Sequence, residues 1–228
     1  MEEIEQRAYL LHSRPFRDSQ VIAEFITKHQ GKVSAIVYVS TSLKSNKKAL
    51  LQPFIPLNIV LKGRGNLKTL SRIEAAKKSF LLTGDHLYSG FYLNELQVRL
   101  LGEHIPYDDL FNQYHQSIAL LAEQAEIEPV LRNFEHVLLD ELGLAIDYSN
   151  VFEQDHQYFY YLPDQGFMPI VENSESKLTY NKAHLMAIAQ QDLSNAEIKN
   201  TYKLLMRQVI NHLLGGKALN SRKLFKRN

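Results

Sequence analysis

Hydrophobic and polar residues alternate along the first third of the chain, which predicts β-strands. Between residues 32 and 40 an apolar residue occupies every second position, and this period of two is typical of a strand with one buried face. The same pattern predicts strands over 6–11, 21–28, 32–40, 55–61 and 67–73, with hairpin turns HQGK at 29–32 and KGRGN at 62–66. Five short strands in about 75 residues predict a small barrel. The OB-fold is the first candidate among such barrels, because it has five strands and binds oligonucleotides.

From about residue 80 the apolar residues recur at intervals of three and four, the spacing of helices. Four helices are predicted: over 86–101, from Asp108, from Pro129 to Gly143, and from Ser194 to Gly215. Ser194 and Glu197 have the spacing of a capping box, which favours a helix start at that point. Residues 156–171 predict a β-hairpin around the turn PDQG.

These patterns together predict an α+β protein whose N-terminal five-stranded OB-fold barrel precedes a mainly helical region. The predicted parts are an OB-fold domain over 1–79, a helical domain over 80–147 and 176–216, a β-hairpin insertion over 148–175, and a basic C-terminal tail over 217–228. No internal repeat or low-complexity linker interrupts this order.

Charge is sorted along the chain, although the formal net charge is only +1. Residues 1–79 hold 14 Lys and Arg against 6 Asp and Glu, residues 80–216 hold 7 against 19, and residues 217–228 hold 5 against none. A cationic front and tail on an acidic body indicate a polyanionic partner, because clustered cations collect phosphates and release their counterions.

Composition excludes several classes of function. The chain has no cysteine, which removes disulfides, thiolate catalysis and zinc sites built on Cys ligands. The start MEEIEQ is acidic, and no apolar run approaches the roughly 18 residues of a membrane span. We therefore expect a cytoplasmic protein with no signal peptide and no membrane partner.

A search for catalytic motifs finds little. The sequence lacks a GxxxxGK[ST] loop, a GxSxG elbow and an HExxH motif, and its nine histidines have no metal-ligand spacing. Glu197 and Lys199 form an E-x-K pair that, with a distant Asp and Mg²⁺, would suit a metal-dependent nuclease. The structural alternative is that Glu197 belongs to the capping box. We predict no catalytic residue, no metal and no cofactor.

Nucleic-acid binding is better supported, because cations follow a phosphate backbone while an aromatic ring stacks on a base. Phe16 lies in the loop HSRPFRDS, and its ring can be interpreted in two ways: it stacks on a base, or it fills the end of the barrel. A general RNA-binding OB protein remains an alternative to a DNA-binding one. The predicted DNA-binding residues are Arg14, Phe16, Arg17, Lys32, Lys44, Lys47, Lys48, Lys62, Arg64, Lys68 and Arg72.

Five phrases in order resemble the bacterial recombination mediator family RecO: QRAYLLHSRPFRDS, ALLQPFIPLNIVLKGRGNLKTLSRIEA, LYSGFYLNEL, EPVLRNFEHVLLDELG and GGKALNSRKLF. The resemblance covers nearly the whole chain. It implies a non-enzymatic DNA-repair factor, associated with the nucleoid, that binds single- and double-stranded DNA and anneals complementary strands. It also implies that RecR and this protein together load RecA onto DNA coated by single-stranded DNA-binding protein (SSB).

The resemblance implies two further points about the region after residue 80. Many members hold a zinc with four cysteines in the region that corresponds to residues 148–171 of this chain. Because this chain has no cysteine, we expect packing of aromatic side chains to hold the hairpin. The alternative interpretation of these aromatic side chains is that they stack on bases. Members also bind the acidic SSB C-terminal tail, for which we predict Arg132 with an apolar wall of Leu110, Phe111 and Tyr114, three residues that suit a core equally well. The aromatic residues in question are Tyr158, Phe159, Tyr160, Tyr161 and Phe167.

Overall fold

The computed structural model describes residues 3–39, 47–170 and 178–225, so the predicted DNA-binding residue Lys44 lies outside the described residues. The chain forms two compact units. The barrel unit comprises residues 1–127 together with 219–228, and the second unit comprises residues 128–218. The predicted boundary at 79/80 therefore differs from this division, because two long helices after residue 80 belong with the barrel.

The barrel unit is built on five strands: β1 Glu3–Arg17, β2 Gln20–Thr27, β3 Gly31–Tyr38, β4 Leu57–Lys62 and β5 Leu67–Ala75. They close in the order β1-β2-β3-β5-β4, with β3 and β5 parallel and the other pairs antiparallel. Alternate residues fill the interior, among them Leu10, Phe25, Val33, Ile59 and Leu70. The five-stranded OB-fold barrel predicted from the alternation is confirmed.

Strand β1 is longer than the sequence predicts, because the expected loop at 12–19 is the second half of this strand. Residues 12–17 pair with β2, and the register shifts once between Leu10 and His12 and again between Pro15 and Arg17. Bulges of this kind interrupt strict alternation and accommodate proline in a strand. A prediction based on a period of two therefore ends β1 too early.

Among its described residues, the barrel unit also contains four helices: α1 Lys47–Leu50, α2 Gly84–Leu100, α3 Asp108–Ala122 and α8 Ser221–Leu224. The loop after α2 returns to the barrel, where His104 N donates to Lys32 O at 2.9 Å. Gly31 permits this approach, since it has φ +63° and a Cβ at that position would lie 1.7 Å from Ile105 O.

The predicted tail contributes an ordered helix to the barrel unit. Glu95 on α2 accepts hydrogen bonds at the start of α8, at 2.9 Å from Asn220 N and at 2.8 and 2.7 Å from Ser221 N and Oγ. Phe225 meets the Tyr88 ring edge-on at 5.6 Å. Residues 219–225 therefore belong to the folded barrel unit.

The second unit combines helices with a small sheet: α4 Ile127–Glu141, α5 Ser149–Glu153, β6 Tyr158–Leu162, β7 Gly166–Pro169, β8 Thr179–Asn181, α6 Lys182–Ala189 and α7 Ala196–Leu213. The predicted hairpin is present as β6 and β7, and β8 pairs with the other edge of β6. Phe159, Phe167, Tyr180, Tyr202 and Leu205 belong to its core. Among the helices in the described ranges, none has both the length and the apolar character that crossing a bilayer requires.

The capping box predicted for the last helix is wrong. Ser194 N donates to Asp192 Oδ1 at 3.1 Å, which makes Ser194 part of the preceding turn. Asn195 is the N-cap instead, and its Oδ1 accepts from Glu197 N at 2.7 Å. Ser, Asp and Asn are all good caps, so the sequence offers competing starts within four residues.

Candidate nucleic-acid interface

Two hairpins of the barrel, β1–β2 and β4–β5, carry five of the ten cations predicted for the first domain, namely Arg14, Arg17, Lys62, Arg64 and Lys68. Residues that pair across neighbouring strands share a face of the sheet. One such row crosses the barrel surface through Arg14, Ile22, Ile36, Thr69 and Lys62. With strands about 4.8 Å apart, the row spans roughly 19 Å along the curved surface from the β1–β2 hairpin to the β4–β5 hairpin. OB-folds bind oligonucleotides on the β2–β3 face between these two loops.

The β1–β2 hairpin forms one wall of this face. Arg14, Phe16 and Arg17 are all exposed, and Phe16 retains 40 % of its accessible surface. The Arg17 guanidinium carbon lies 5.1 Å from the centre of the Phe16 ring, a cation–π contact. Phe16 therefore does not plug the barrel, and its ring is available for stacking.

The β4–β5 hairpin forms the other wall. Arg64 is exposed in the turn, and Lys62 and Lys68 are half-buried at its base. Lys68 Nζ donates to Gly63 O at 3.0 Å, which holds this amine beside the turn. Further along β5, exposed Arg72 forms an ion pair with Glu74 at 4.0 Å.

The floor between the walls contains an aromatic residue that the sequence-based set omits. Tyr38 ends β3 with 54 % of its surface exposed, and it pairs with Gln20, which pairs in turn with Arg17. Its outward position in the alternation of β3 is the signal that could have identified it. We call the exposed side formed by Arg14, Phe16, Arg17, Tyr38, Lys62, Arg64 and Lys68 the cationic face.

Two other predicted cations lie near the end of the barrel strands. Lys47 begins α1 and its Nζ donates to Ser71 O at 3.4 Å, whereas Lys48 is exposed. Both residues lie in the helix α1. Because α1 contacts β5, Lys48 extends the positive charge of the unit beyond the two hairpins.

Lys32 is withdrawn from the surface. Only 9 % of the residue is exposed, and its Nζ donates to Val98 O on α2 at 2.8 Å. Burial lowers the pKa of this amine, while Glu24 and Glu103 raise the pKa part of the way back. A buried amine bound to a carbonyl is poorly placed to reach a phosphate, so we leave Lys32 out of the cationic face.

The residues predicted to hold the SSB tail are buried in both units. In the barrel unit, Leu110 and Tyr114 are 0 % exposed and Phe111 is 5 % exposed, and Tyr114 Oη donates to Asn94 Oδ1 at 2.6 Å. In the second unit, Arg132 is 4 % exposed and its Nη2 donates to Glu135 Oε1 at 2.8 Å. The core alternative weighed for Leu110, Phe111 and Tyr114 is the arrangement that the structure has.

The residues of the possible nuclease site lie on the first turn of α7. Glu197 Oε2 is 3.7 Å from His184 Nε2, and Glu197 itself is largely exposed. Within the described ranges, no three His, Asp or Glu side chains are grouped in a way that would hold a metal ion. The E-x-K pair therefore has no neighbouring carboxylate set for Mg²⁺ there.

The zinc that the family resemblance implies for many members does not fit this chain. Its usual ligands are thiolates, and the sequence contains no cysteine. Phe159, Tyr161 and Phe167 instead pack in the core of the second unit, with the Tyr161 and Phe167 rings edge-on at 5.1 Å. Tyr158 is 45 % exposed and Tyr160 is half-buried, so aromatic packing accounts for three of the five predicted rings.

Comparison with known proteins matches both parts of the chain. Residues 1–78 match the family described as Recombination protein O N terminal, and residues 81–223 match Recombination protein O C terminal. The chain is 38 % identical over 222 residues to the DNA repair protein RecO of Coxiella burnetii, covering 95 % of each. It is 37 % identical over 225 residues to that of Cellvibrio japonicus and 34 % identical over 224 residues to that of Alteromonas mediterranea, covering 96 % of this chain and 95 % of each relative. The chain therefore belongs to the RecO family of DNA repair proteins.

Proposed function

We propose that the protein binds single- and double-stranded DNA through the cationic face and anneals complementary strands without catalysing a covalent step. The observation that carries this proposal is the exposure of Arg14, Arg17 and Arg64 on the two hairpins that flank the β2–β3 face, together with the exposed rings of Phe16 and Tyr38. Cations neutralise phosphates, and aromatic rings stack on bases without regard to sequence. Neutralising two strands lowers their repulsion, which is sufficient to promote pairing.

In the cell, this activity would serve recombinational repair in the cytoplasm, on the nucleoid. We propose that the protein is recruited by the C-terminal tail of SSB, acts together with RecR, and helps RecA to replace SSB on single strands. Membership of the RecO family supports these partners. The burial of Arg132 and of the predicted apolar wall supports a tail site elsewhere on the surface, or one that opens only on binding.

The first prediction concerns salt dependence. We expect the double variant Arg14→Ala/Arg64→Ala to weaken binding to unrelated single-stranded sequences alike. The slope of log K against log salt should flatten by about 0.7 for each phosphate that is no longer neutralised, or about 1.4 for two phosphates. Fluorescence anisotropy of a labelled oligonucleotide at several salt concentrations measures both the affinity and the slope.

The control is Arg207→Ala, which removes a positive charge from an exposed position of α7 in the second unit, within the acidic stretch 80–216. It should leave the slope near that of the wild type. An unchanged slope in Arg14→Ala/Arg64→Ala would refute the cationic face as the DNA site. Annealing of DNA and RNA strands of one sequence is measured in parallel, and RNA preference without annealing would favour a general RNA-binding role.

A capture experiment tests recruitment separately from DNA binding. Immobilised SSB, with and without its C-terminal tail, is incubated with the protein in the absence of DNA. Retention only by the full-length SSB supports tail recognition, and equal retention by both forms contradicts it. RecA filament formation on SSB-coated strands, with and without RecR, then tests the loading step.

A further inference from the structure

A cavity separate from the cationic face lies on the barrel unit, at the opposite end of β1 from Arg14. Arg7 and Arg14 are seven residues apart along the strand, or roughly 23 Å at 3.3 Å per residue. The cavity has a volume of about 170 Å³, and Arg7, Lys28, Lys77, Tyr9, Phe111 and His115 are among its lining residues. We call it the Arg7 pocket.

Main-chain hydrogen bonds fix the segments that carry its three cations. Lys28 N donates to Arg7 O at 3.0 Å, which joins the end of β2 to β1. Ala76 N donates to Pro56 O at 2.8 Å, which holds the residue preceding Lys77 against the start of β4. The cations therefore converge from three positions in the barrel rather than from one loop.

The charges at the Arg7 pocket are not neutralised by a carboxylate among its lining residues, all of which the structure describes. In the sheet register, Arg7 pairs with Asn58, and Asn58 pairs with Glu74. Glu74 forms its ion pair with Arg72, at 4.0 Å. Asn58 and Asn112 add two amide groups to the wall, each of which can donate a hydrogen bond.

The floor of the Arg7 pocket is a neutral pair. The Tyr9 hydroxyl hydrogen-bonds with His115 Nδ1, and Tyr9 is 2 % exposed. Burial, followed by the charges of Lys77 and Arg7, lowers the pKa of the His115 imidazole. Burial raises the pKa of the Tyr9 phenol. Neither group carries a charge at neutral pH, so three positive charges act on whatever occupies the cavity.

Size and charge together select the ligand. The cavity is smaller than the roughly 300 Å³ of a pocket for a whole organic ligand, so it suits a single headgroup. A phosphomonoester carries about −1.5 to −2 at pH 7, whereas a backbone phosphodiester carries −1, and a guanidinium binds phosphate oxygens in pairs. We propose that the Arg7 pocket binds a phosphomonoester group, supplied by the terminal phosphate of a nucleic-acid strand or by a free nucleotide.

Two measurements distinguish the sources of this group. Isothermal titration with thymidine 5′-monophosphate, with thymidine as the phosphate-free control, tests a free nucleotide at constant ionic strength. Anisotropy with one oligonucleotide carrying either a 5′-phosphate or a 5′-hydroxyl tests a strand end. If thymidine 5′-monophosphate binds and the 5′-phosphate does not improve binding of the oligonucleotide, the ligand is a free nucleotide. If the oligonucleotide with the 5′-phosphate binds more tightly than the one with the 5′-hydroxyl, the ligand is a strand terminus. Either result supports the proposal.

Variants tie the binding to the pocket. Arg7→Ala and Lys77→Ala should each weaken phosphomonoester binding roughly 10- to 100-fold, as expected for loss of a charge-assisted hydrogen bond. Lys78→Ala is the matched control, because this exposed lysine is adjacent in sequence and is not among the lining residues. Both target residues are exposed, so folding should persist, which circular dichroism verifies.

Three results would overturn the proposal: no preference for the phosphorylated ligands in the wild type, equal losses in Lys77→Ala and Lys78→Ala, or no loss in the target variants. Arg14→Ala/Arg64→Ala provides the separation from the DNA-binding face. That variant should retain the preference for a phosphorylated end although its overall affinity for DNA falls. The proposal for the Arg7 pocket thus stands or falls independently of the cationic face.

Discussion

Arg132 is a charged residue that lies inside the second unit rather than on its surface. Arg132 and Glu135 lie one turn apart on α4 and are 4 % and 0 % exposed, with a 2.8 Å hydrogen bond between them. A buried ion pair is costly to desolvate, yet breaking it by removing one partner leaves an uncompensated charge. Arg132 thus contributes to the folded state of the second unit whether or not it also meets a partner.

The prediction at this scale concerns stability. We expect Arg132→Ala to lower the free energy of unfolding by about 3 to 5 kcal/mol, because the Glu135 carboxylate stays buried. Replacing both residues by leucine should recover much of that loss, since an apolar pair of similar volume needs no charge compensation. Urea denaturation measures both variants. Wild-type stability in Arg132→Ala would show that the pair contributes nothing to folding.

Residue identity alone predicts which cations are present but not which of them are accessible. Lys32 and Lys48 are both cations that the sequence assigns to DNA binding. The amine of Lys32, however, donates a hydrogen bond to the main-chain oxygen of Val98, which is 66 positions away in the chain. Nothing local marks such a long-range contact. Conversely, the outward phase of Tyr38 in β3 was readable from the alternation, because that signal depends only on neighbouring residues.

Elements were predictable where periodicity is strong and uncertain where it is interrupted. The barrel strands and helices α2, α3, α4 and α7 follow clear apolar patterns, whereas the bulged end of β1 and the short segments β8 and α8 do not. Helix α8 has only four residues and no apolar stripe of its own. It forms because Glu95 accepts hydrogen bonds from Asn220 and Ser221.

The attachment of α8 predicts a dependence on pH. Burial raises the pKa of Glu95. The hydrogen bonds from Ser221 and Asn220 and the charge of Arg99 lower the pKa by more than burial raises it, so the pKa lies below the ordinary value of a glutamate. A depressed folded-state pKa adds stability above the unfolded-state value, and this stability is lost as the pH falls through the folded-state pKa. We expect α8 to detach under acidic conditions.

Tryptic cleavage after Arg222 provides the measurement near neutral pH, and hydrogen exchange of residues 219–225 extends it to lower pH. Glu95→Gln should expose this segment already at pH 7 and lose most of the pH dependence. Glu123→Gln, at an exposed position at the end of α3, is the matched control. Equal protection of the segment in Glu95→Gln and the wild type at pH 7 would contradict the role of Glu95.

At the scale of the whole molecule, the second unit has an aromatic core in the region where the family resemblance implies a zinc for other members. Phe159, Phe167 and Tyr180 are each no more than 2 % exposed, and the Phe167 ring contacts those of Tyr161 and Tyr180. We predict that dialysed protein holds no stoichiometric zinc and keeps its Tm in a strong chelator, because no folding free energy derives from a metal. One tightly bound zinc per chain in elemental analysis would refute this prediction.

The order of the two units along the chain has a consequence for synthesis. The barrel unit is interrupted at residue 128 and resumes only at residue 219. At about 5 to 20 residues per second, a ribosome needs roughly 5 to 18 seconds to make the intervening stretch. During that time the growing chain presents Tyr88, Tyr92 and the Glu95 carboxylate without the segment that covers them. Chaperones that bind nascent chains therefore have a defined interval, and a defined patch on α2, at which to act.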